Sequence, residues 1–196
     1  MRFWGKSSVV AVLGLSYTLA IAQAPQQQPT AKRVSAKRAN ELTLAGLRPG
    51  VDTINRAEKL YRRIRQENRG LDGQSVWLDD CRHQLLAVDF DAGRKIQVIR
   101  ASELPLSADC VALPSGPWKT ELGLRVGDPP PKVAQLYGEP DSKSPSSKNG
   151  QQLELWYYAF DWAGADVPQV MEVLCTKEKD GKPGRVIEIT LAAPSL

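Results

Sequence analysis

The sequence predicts an α+β protein made of two tandem modules, each a short helix packed on a small antiparallel three-stranded sheet. In each half of the chain, a segment with helical spacing of apolar residues precedes segments that alternate with a period of two. The landmarks of the two halves also recur at a nearly constant distance, since Gly127 follows Gly50 by 77 residues and Trp156 follows Trp77 by 79. A repeat of this size is too long for a solenoid unit and favours two fused modules.

The N-terminus has the features of a secretory signal peptide. Arg2 and Lys6 precede a short apolar run over residues 9–22, and Ala22-Gln23-Ala24 is a small-x-small cleavage pattern. We expect cleavage after Ala24, followed by a disordered basic leader over residues 25–41. No cysteine lies near the cleavage point to carry a lipid anchor, and no later segment is apolar enough for a transmembrane helix. The mature chain is therefore expected to be soluble and secreted or periplasmic.

Positive charge is concentrated between residues 32 and 69, where 11 Lys or Arg residues face 4 acids. Two interpretations stay open: an anionic partner or surface, or a solvated helix face behind a basic tail, which we favour. Nucleic acid is not an expected partner, because the aromatic residues lie in the acidic half and the chain is expected to be exported.

The first module is expected over residues 42–101. Asp52 or Thr53 caps a helix whose apolar positions have helical spacing. These positions are Ile54, Ala57, Leu60, Tyr61 and Ile64. Three strands follow, over residues 75–79, 85–90 and 96–99, with a hairpin turn at 91–94. The proline-containing stretch 102–119 is expected to be a crossover linker.

The second module is expected over residues 120–196. Its helix has an N-cap at Asp128 and an apolar face of Val133, Leu136 and Tyr137, and it ends at Gly138. The polar segment 141–152 is expected to be a mobile loop. Strands are expected over residues 153–162, 168–175 and 185–191.

These features resemble those of a known module. The lead Gly123-Leu124-Arg125-Val126-Gly127, a short helix ending before Gly138-Glu139-Pro140 and a three-stranded meander are similar to the SmpA/OmlA-type module. That module occurs in an outer-membrane assembly lipoprotein and, in tandem, in the secreted β-lactamase inhibitory proteins. The resemblance covers residues 42–100 and 120–192. It implies the tandem fold and the binding of proteins through the sheet face, and it carries over no individual binding residue.

Three cysteines follow the predicted cleavage point: Cys81, Cys110 and Cys175. In an exported protein an intramolecular disulfide is the default, and we expect Cys81–Cys110, although the sequence alone does not fix the pairing. A bond closing a loop of that length contributes about 3 kcal/mol. Cys175 is then a small buried hydrophobe. The alternative is a thiol-dependent hydrolase or redox enzyme, with Cys81 as nucleophile and His83, which would lie two residues away on a strand, as base.

Four aromatic residues share one face of the strand at 153–162: Trp156, Tyr158, Phe160 and Trp162. They could stack a ligand or anchor a protein partner, but a small sheet with one short helix needs bulky residues for its core, and we favour the core. The opposite face, with Tyr157, Glu172 and Glu188, is then a candidate docking surface. No catalytic residue, cofactor or metal ligand is predicted, and another exported or envelope protein is the expected partner.

Overall fold

The computed structural model describes residues 40–67, 73–104, 118–160, 169–177 and 184–193. The first half contains α1 (Ile54–Tyr61) and the strands β1 (Arg65–Glu67), β2 (Gln74–Asp79), β3 (Gln84–Phe90) and β4 (Ile96–Glu103). The second half contains α2 (Pro130–Tyr137) and the strands β5 (Ser142–Lys148), β6 (Gln151–Phe160), β7 (Gln169–Thr176) and β8 (Val186–Ala192). The predicted signal peptide with cleavage after Ala24, the leader up to residue 39, Cys110 and Trp162 lie outside the described residues.

All eight strands form one antiparallel sheet in the order β1-β2-β3-β4-β8-β7-β6-β5. The halves join where β4 pairs with β8, in a register from Val98 opposite Ala192 to Ser102 opposite Glu188. The prediction of two tandem modules, each a helix on its own three-stranded sheet, is therefore wrong. The physical reason is that β4 and β8 are the last strands of their halves, and each satisfies the backbone hydrogen bonds of the other. The suggested membership of the tandem SmpA/OmlA-type family is also wrong, because the sheet is single and each half supplies four strands.

Both helices lie on one face of this sheet. Ile54 and Ala57 of α1 and Val133 and Tyr137 of α2 pack in the same buried cluster as residues from six of the strands. The described members of the predicted aromatic face belong to it: Trp156, Tyr158 and Phe160. Their interpretation as core rather than as a ligand-stacking surface is confirmed.

The segment expected to be a mobile loop is an edge strand. Residues 142–148 pair with β6 from Ser142 opposite Tyr157 to Lys148 opposite Gln151. Asn149 and Gly150 connect the two strands with φ values of 51° and 76°. Two central residues with positive φ are the geometry of a type I′ hairpin turn, and Asn-Gly is its preferred sequence. The polar side chains of β5 concealed the strand, because an edge strand needs no apolar alternation.

Two further details of the helices differ from expectation. Leu60, one of the apolar positions predicted for α1, does not join its buried side and is 52% exposed. Asp128 does not cap α2, since the N-cap residue is Pro129 and no side-chain cap is formed. Its carboxylate instead accepts the Arg125 backbone N–H at 2.8 Å and pairs with Lys132 Nζ at 2.8 Å. No helix within the described ranges combines the length and the apolar character that crossing a bilayer requires.

Candidate functional site

The side of the sheet opposite α1 and α2, called here the helix-free face, contains the three residues of the predicted docking surface. Tyr157 of β6 lies directly opposite Glu172 of β7, and Glu188 of β8 lies opposite Leu174. Strand alternation places these side chains on one face, away from the core. Tyr157, Leu174 and Glu188 are half-buried, and Glu172 is exposed. The structure therefore brings the predicted residues together on adjacent strands.

Glu188 is the centre of a charge cluster on this face. Its Oε1 lies 3.5 Å from Arg100 Nε of β4, and its Oε2 lies 2.5 Å from Lys148 Nζ of β5. The Glu188 side chain is 13% exposed, whereas both cations are more open to solvent. A carboxylate this sheltered is stabilised by its two partners, so Glu188 is a fixed anchor of the face rather than a free anionic contact.

The Lys148–Glu188 contact also shows that the sheet curls toward its helix-free face. Strand β5 lies three strands from β8, and Lys148 lies four residues along the strand from the position aligned with Glu188. In a flat sheet these offsets would separate the two Cα atoms by roughly 20 Å. The side chains meet because strand twist and coiling bring the β5–β6 hairpin over the end of β8. The helix-free face is therefore concave near this hairpin.

A cleft of about 370 Å³ lies in this concavity, between the β5–β6 hairpin and the ends of β4 and β8. Its lining includes Lys148, Ile187 and the ion pair Arg185–Glu103, in which Arg185 Nη2 lies 3.0 Å from the carboxylate. On the first-half side of the same face, Val76, Leu78 and Ala87 form a small buried apolar cluster. The face thus combines an apolar cluster, a charged centre and a half-exposed aromatic residue.

A larger cleft, of about 500 Å³, opens on the helix side of the sheet. It is lined by the start of α2 together with Trp156, Cys175 and Thr176. The Trp156 indole N–H donates to Glu154 at 2.6 Å, and Lys143 Nζ lies 3.9 Å from the Trp156 ring centroid. Burial, followed by the nearby Glu154 charge, raises the pKa of the Cys175 thiol to about 12. The Trp156 indole and the Glu154 carboxylate in this cleft are therefore already engaged within the protein, and the Cys175 thiol stays protonated at neutral pH.

The turn between β2 and β3 holds the residues of the alternative thiol-enzyme hypothesis. Cys81 is disulfide-bonded and Cys175 is free. Because Cys110 lies outside the described residues, the Cys81–Cys110 pairing stays a prediction. His83 has a positive φ of 52°, and its Nδ1 is buried without a hydrogen-bond partner in the part of the chain that the structure describes. A cysteine in a disulfide presents no thiolate for a neighbouring base to activate, so this geometry gives the hypothesis no support.

Asp79, the last residue of β2, is buried, and its carboxylate pairs with Arg82 Nη1 at 2.6 Å. Within the described ranges, no cluster of three or more His, Cys, Asp or Glu residues is placed to hold a metal ion.

Glu41 is an important residue that the sequence did not single out. It is 0% exposed, and its carboxylate accepts backbone N–H groups of residues 42, 43, 121 and 122 at 3.0–3.2 Å. Its Oε2 also accepts the Tyr137 hydroxyl at 2.6 Å. Burial and the Glu41 carboxylate raise the pKa of Tyr137 far above its usual range. This carboxylate ties the start of the described chain to the segment before α2 and to α2 itself, and its role is structural.

Comparisons with known proteins leave the family open. No protein-family model matches the chain, and no curated protein matches it. Among solved structures, it is similar to a cysteine-rich secretory protein from Staphylococcus aureus subsp. aureus Mu50, with 12% identity and a TM-score of 0.33. That match covers 69% of this chain and 42% of the other. It differs from the family suggested by the sequence motifs, and at this level of similarity it supports no conclusion about fold or function.

Proposed function

We propose that this protein is an exported, non-enzymatic protein-interaction module that binds a partner through the helix-free face of its sheet. The observation that carries the proposal is the half-exposed apolar and aromatic surface on adjacent strands β6 and β7. Leu155 and Leu174 lie directly opposite each other, next to the pair Tyr157 and Glu172. Tyrosine is enriched among the residues that dominate binding energy, and apolar groups inside a polar rim are the usual anatomy of a protein–protein interface.

The edges of the sheet are less suitable for a partner than this face. Strand β1 has three residues, and β5 is a polar edge strand that contains Pro145 and two lysines. Short edges and edge strands with proline and lysine discourage the pairing of another chain. Side-chain recognition on the face is therefore favoured over strand addition at an edge.

Export is part of the proposal and is supported by the N-terminal sequence and by the disulfide-bonded state of Cys81. The pattern ending at Ala24 predicts a secretory signal, and an oxidising compartment would suit the disulfide at Cys81. The proposed partner is accordingly another exported or envelope protein.

A capture experiment with paired variants tests the binding face. Wild-type protein, the variant Tyr157→Ala/Glu172→Lys and the control Gln135→Ala/Glu121→Lys are immobilised and exposed to envelope proteins of the source organism. Gln135 and Glu121 are exposed and lie outside the helix-free face. We expect a protein that the wild type and the control retain and the face variant loses by tenfold or more, about 1.4 kcal/mol or greater. Equal retention by all three, with unchanged circular dichroism, would reject this face as the binding site.

A further inference from the structure

The outward face of α1 has an unusual combination of side chains. Arg56, Lys59, Leu60 and Arg63 follow the spacing i, i+3, i+4, i+7, which places them on one side of the helix and its C-terminal turn. All four are exposed, and Ile54, Ala57 and Tyr61 occupy the buried side. Arg62, also exposed, adjoins the same surface.

Most of the positive charge on this surface has no acidic partner within the described ranges. Arg56 is paired with Asp52 at 3.3 Å, and Glu58 is paired with Arg94 at 3.3 Å. Among the described residues, no acid lies within ion-pair distance of Lys59, Arg62 or Arg63. Three exposed cations therefore lie at one end of α1 with no acidic partner among the described residues.

A large apolar side chain lies among these cations. Leu60 is 52% exposed, and its Cδ2 lies over Gly46, 3.8 Å from the position that a Cβ there would take. Val51, which precedes the helix, is 49% exposed. Exposed aliphatic side chains surrounded by lysine and arginine are the composition of a peripheral membrane-binding helix face, where cations meet phosphates and aliphatic groups enter the headgroup region.

We propose that the outward face of α1 docks reversibly on a bilayer containing anionic phospholipids. Lys59, Arg62 and Arg63 contact the headgroup phosphates, and Leu60 inserts at the acyl boundary. The uncompensated charge favours this occupant over a neutral apolar partner, which would leave three cations desolvated without counter-charges. The surface is on the opposite side of the sheet from the helix-free face. Membrane docking is therefore independent of the proposed protein-binding function, and both surfaces are available at the same time.

Vesicle binding of the full chain tests the proposal. Vesicles of phosphatidylcholine alone are compared with vesicles containing 30% phosphatidylglycerol, at low and high salt. We expect binding that requires phosphatidylglycerol and weakens with salt.

The variant Lys59→Glu/Arg63→Glu should bind at least about twentyfold more weakly, since each basic residue near an anionic surface contributes about fivefold. Leu60→Ser should weaken binding severalfold. The control Arg125→Glu/Lys177→Glu makes the same change in charge away from α1 and should keep most of the vesicle binding.

A footprint identifies the docking surface separately from any contribution of the apolar N-terminal stretch. Lysine acetylation is quantified by mass spectrometry with each type of vesicle. We expect phosphatidylglycerol vesicles to protect Lys59 severalfold and to leave Lys177 as reactive as in free protein. Equal labelling of Lys59 with both vesicle types, or equal binding by the folded Lys59→Glu/Arg63→Glu variant, would overturn the proposal. Circular dichroism and thermal unfolding establish that each variant is folded.

Discussion

At the scale of single residues, Glu41 shows how one buried carboxylate joins distant segments. It receives four backbone N–H groups and the Tyr137 hydroxyl, from both halves of the chain. The substitution Glu41→Ala removes the acceptor from these part-buried donors. Among the described residues, only the Glu121 N–H, 3.3 Å from the Thr43 carbonyl, and the Tyr137 hydroxyl, 2.7 Å from the Thr120 hydroxyl, keep a second partner. We expect it to lower the free energy of unfolding by about 3 kcal/mol, measured by urea denaturation. Glu121→Ala, which removes an exposed carboxyl beside the same network, should cost less than about 0.5 kcal/mol. Similar losses for both variants would contradict this role.

The raised pKa of Cys175 predicts that the free energy of unfolding decreases at alkaline pH. Its folded-state pKa of about 12 lies above the ordinary value of 9.0 because burial disfavours the thiolate. The thiol of the unfolded chain therefore ionises first as pH rises, and the stabilising contribution, complete below pH 9, is lost between pH 9 and 12. We expect the free energy of unfolding of the wild type to fall more steeply over this window than that of Cys175→Ala. Parallel pH profiles would show that Cys175 titrates normally in the folded state.

The predicted Cys81–Cys110 bond is tested by counting thiols. In denaturant without reductant, we expect one reactive thiol per chain, from Cys175, and three after reduction. In native buffer at neutral pH, Cys175 should react slowly, because it is 2% exposed and protonated. Peptide mapping of the unreduced protein then identifies the bonded pair, and three thiols before reduction would exclude any disulfide.

At the scale of elements, the β5–β6 hairpin depends on the backbone conformation of Asn149-Gly150. Gly150 has a φ of 76°, and a Cβ placed there would meet no atom within 4 Å. The cost of Gly150→Ala is therefore backbone strain alone, which we expect to reduce the free energy of unfolding by about 1 kcal/mol. Asn149→Gly keeps the required positive φ and should change it by less than about 0.5 kcal/mol. Chemical denaturation measures both, and equal effects would contradict a type I′ turn.

The elements also show what the sequence could and could not reveal. Strands β3, β6 and β8 are rich in apolar and β-branched or aromatic residues, and their predicted bounds agree with the observed ones to within two residues. Strand β5 is almost entirely polar, and only Asn149-Gly150 marked it. Leu60 fits the helical apolar spacing, but it lies on the outward face of α1 with Arg56 and Arg63, and spacing alone does not show how wide the buried face is. The role of Glu41 depends on groups 80 or more residues away in the chain, which no local pattern reports.

The geometry of the candidate site can be predicted from the sequence only in part. Alternation correctly placed Tyr157 and Glu172 on the face opposite Trp156, because side chains in a strand alternate strictly. The ion pairs of Glu188 with Arg100 and Lys148 depend on strand order and sheet curl. These are long-range properties, and no pattern in the sequence indicates that β4 lies beside β8.

At the scale of the whole described sheet, the shared core predicts cooperative unfolding. One buried cluster contains Trp77 and Leu86 from the first half and Trp156 and Ile189 from the second. We expect the most protected amides of β3 and β7 to exchange with the same free energy of opening, measured by native-state hydrogen exchange in increasing denaturant. If β7 opened at a distinctly lower free energy than β3, the halves would be separate folding units despite their continuous sheet.

The late pairing of β4 with β8 also makes the growing chain prone to aggregation until its last strand has been synthesised. Strand β8 follows every other described strand in the chain, and its partner β4 ends more than 80 residues earlier. A growing chain can complete β1 to β4 long before β8 exists, and in that interval β4 presents an unpaired edge. Val98 and Ile99 on this edge are the side chains a second nascent chain would meet. Slow synthesis or truncation before residue 186 should therefore favour aggregation, and a chaperone that shields strand edges would act at this stage.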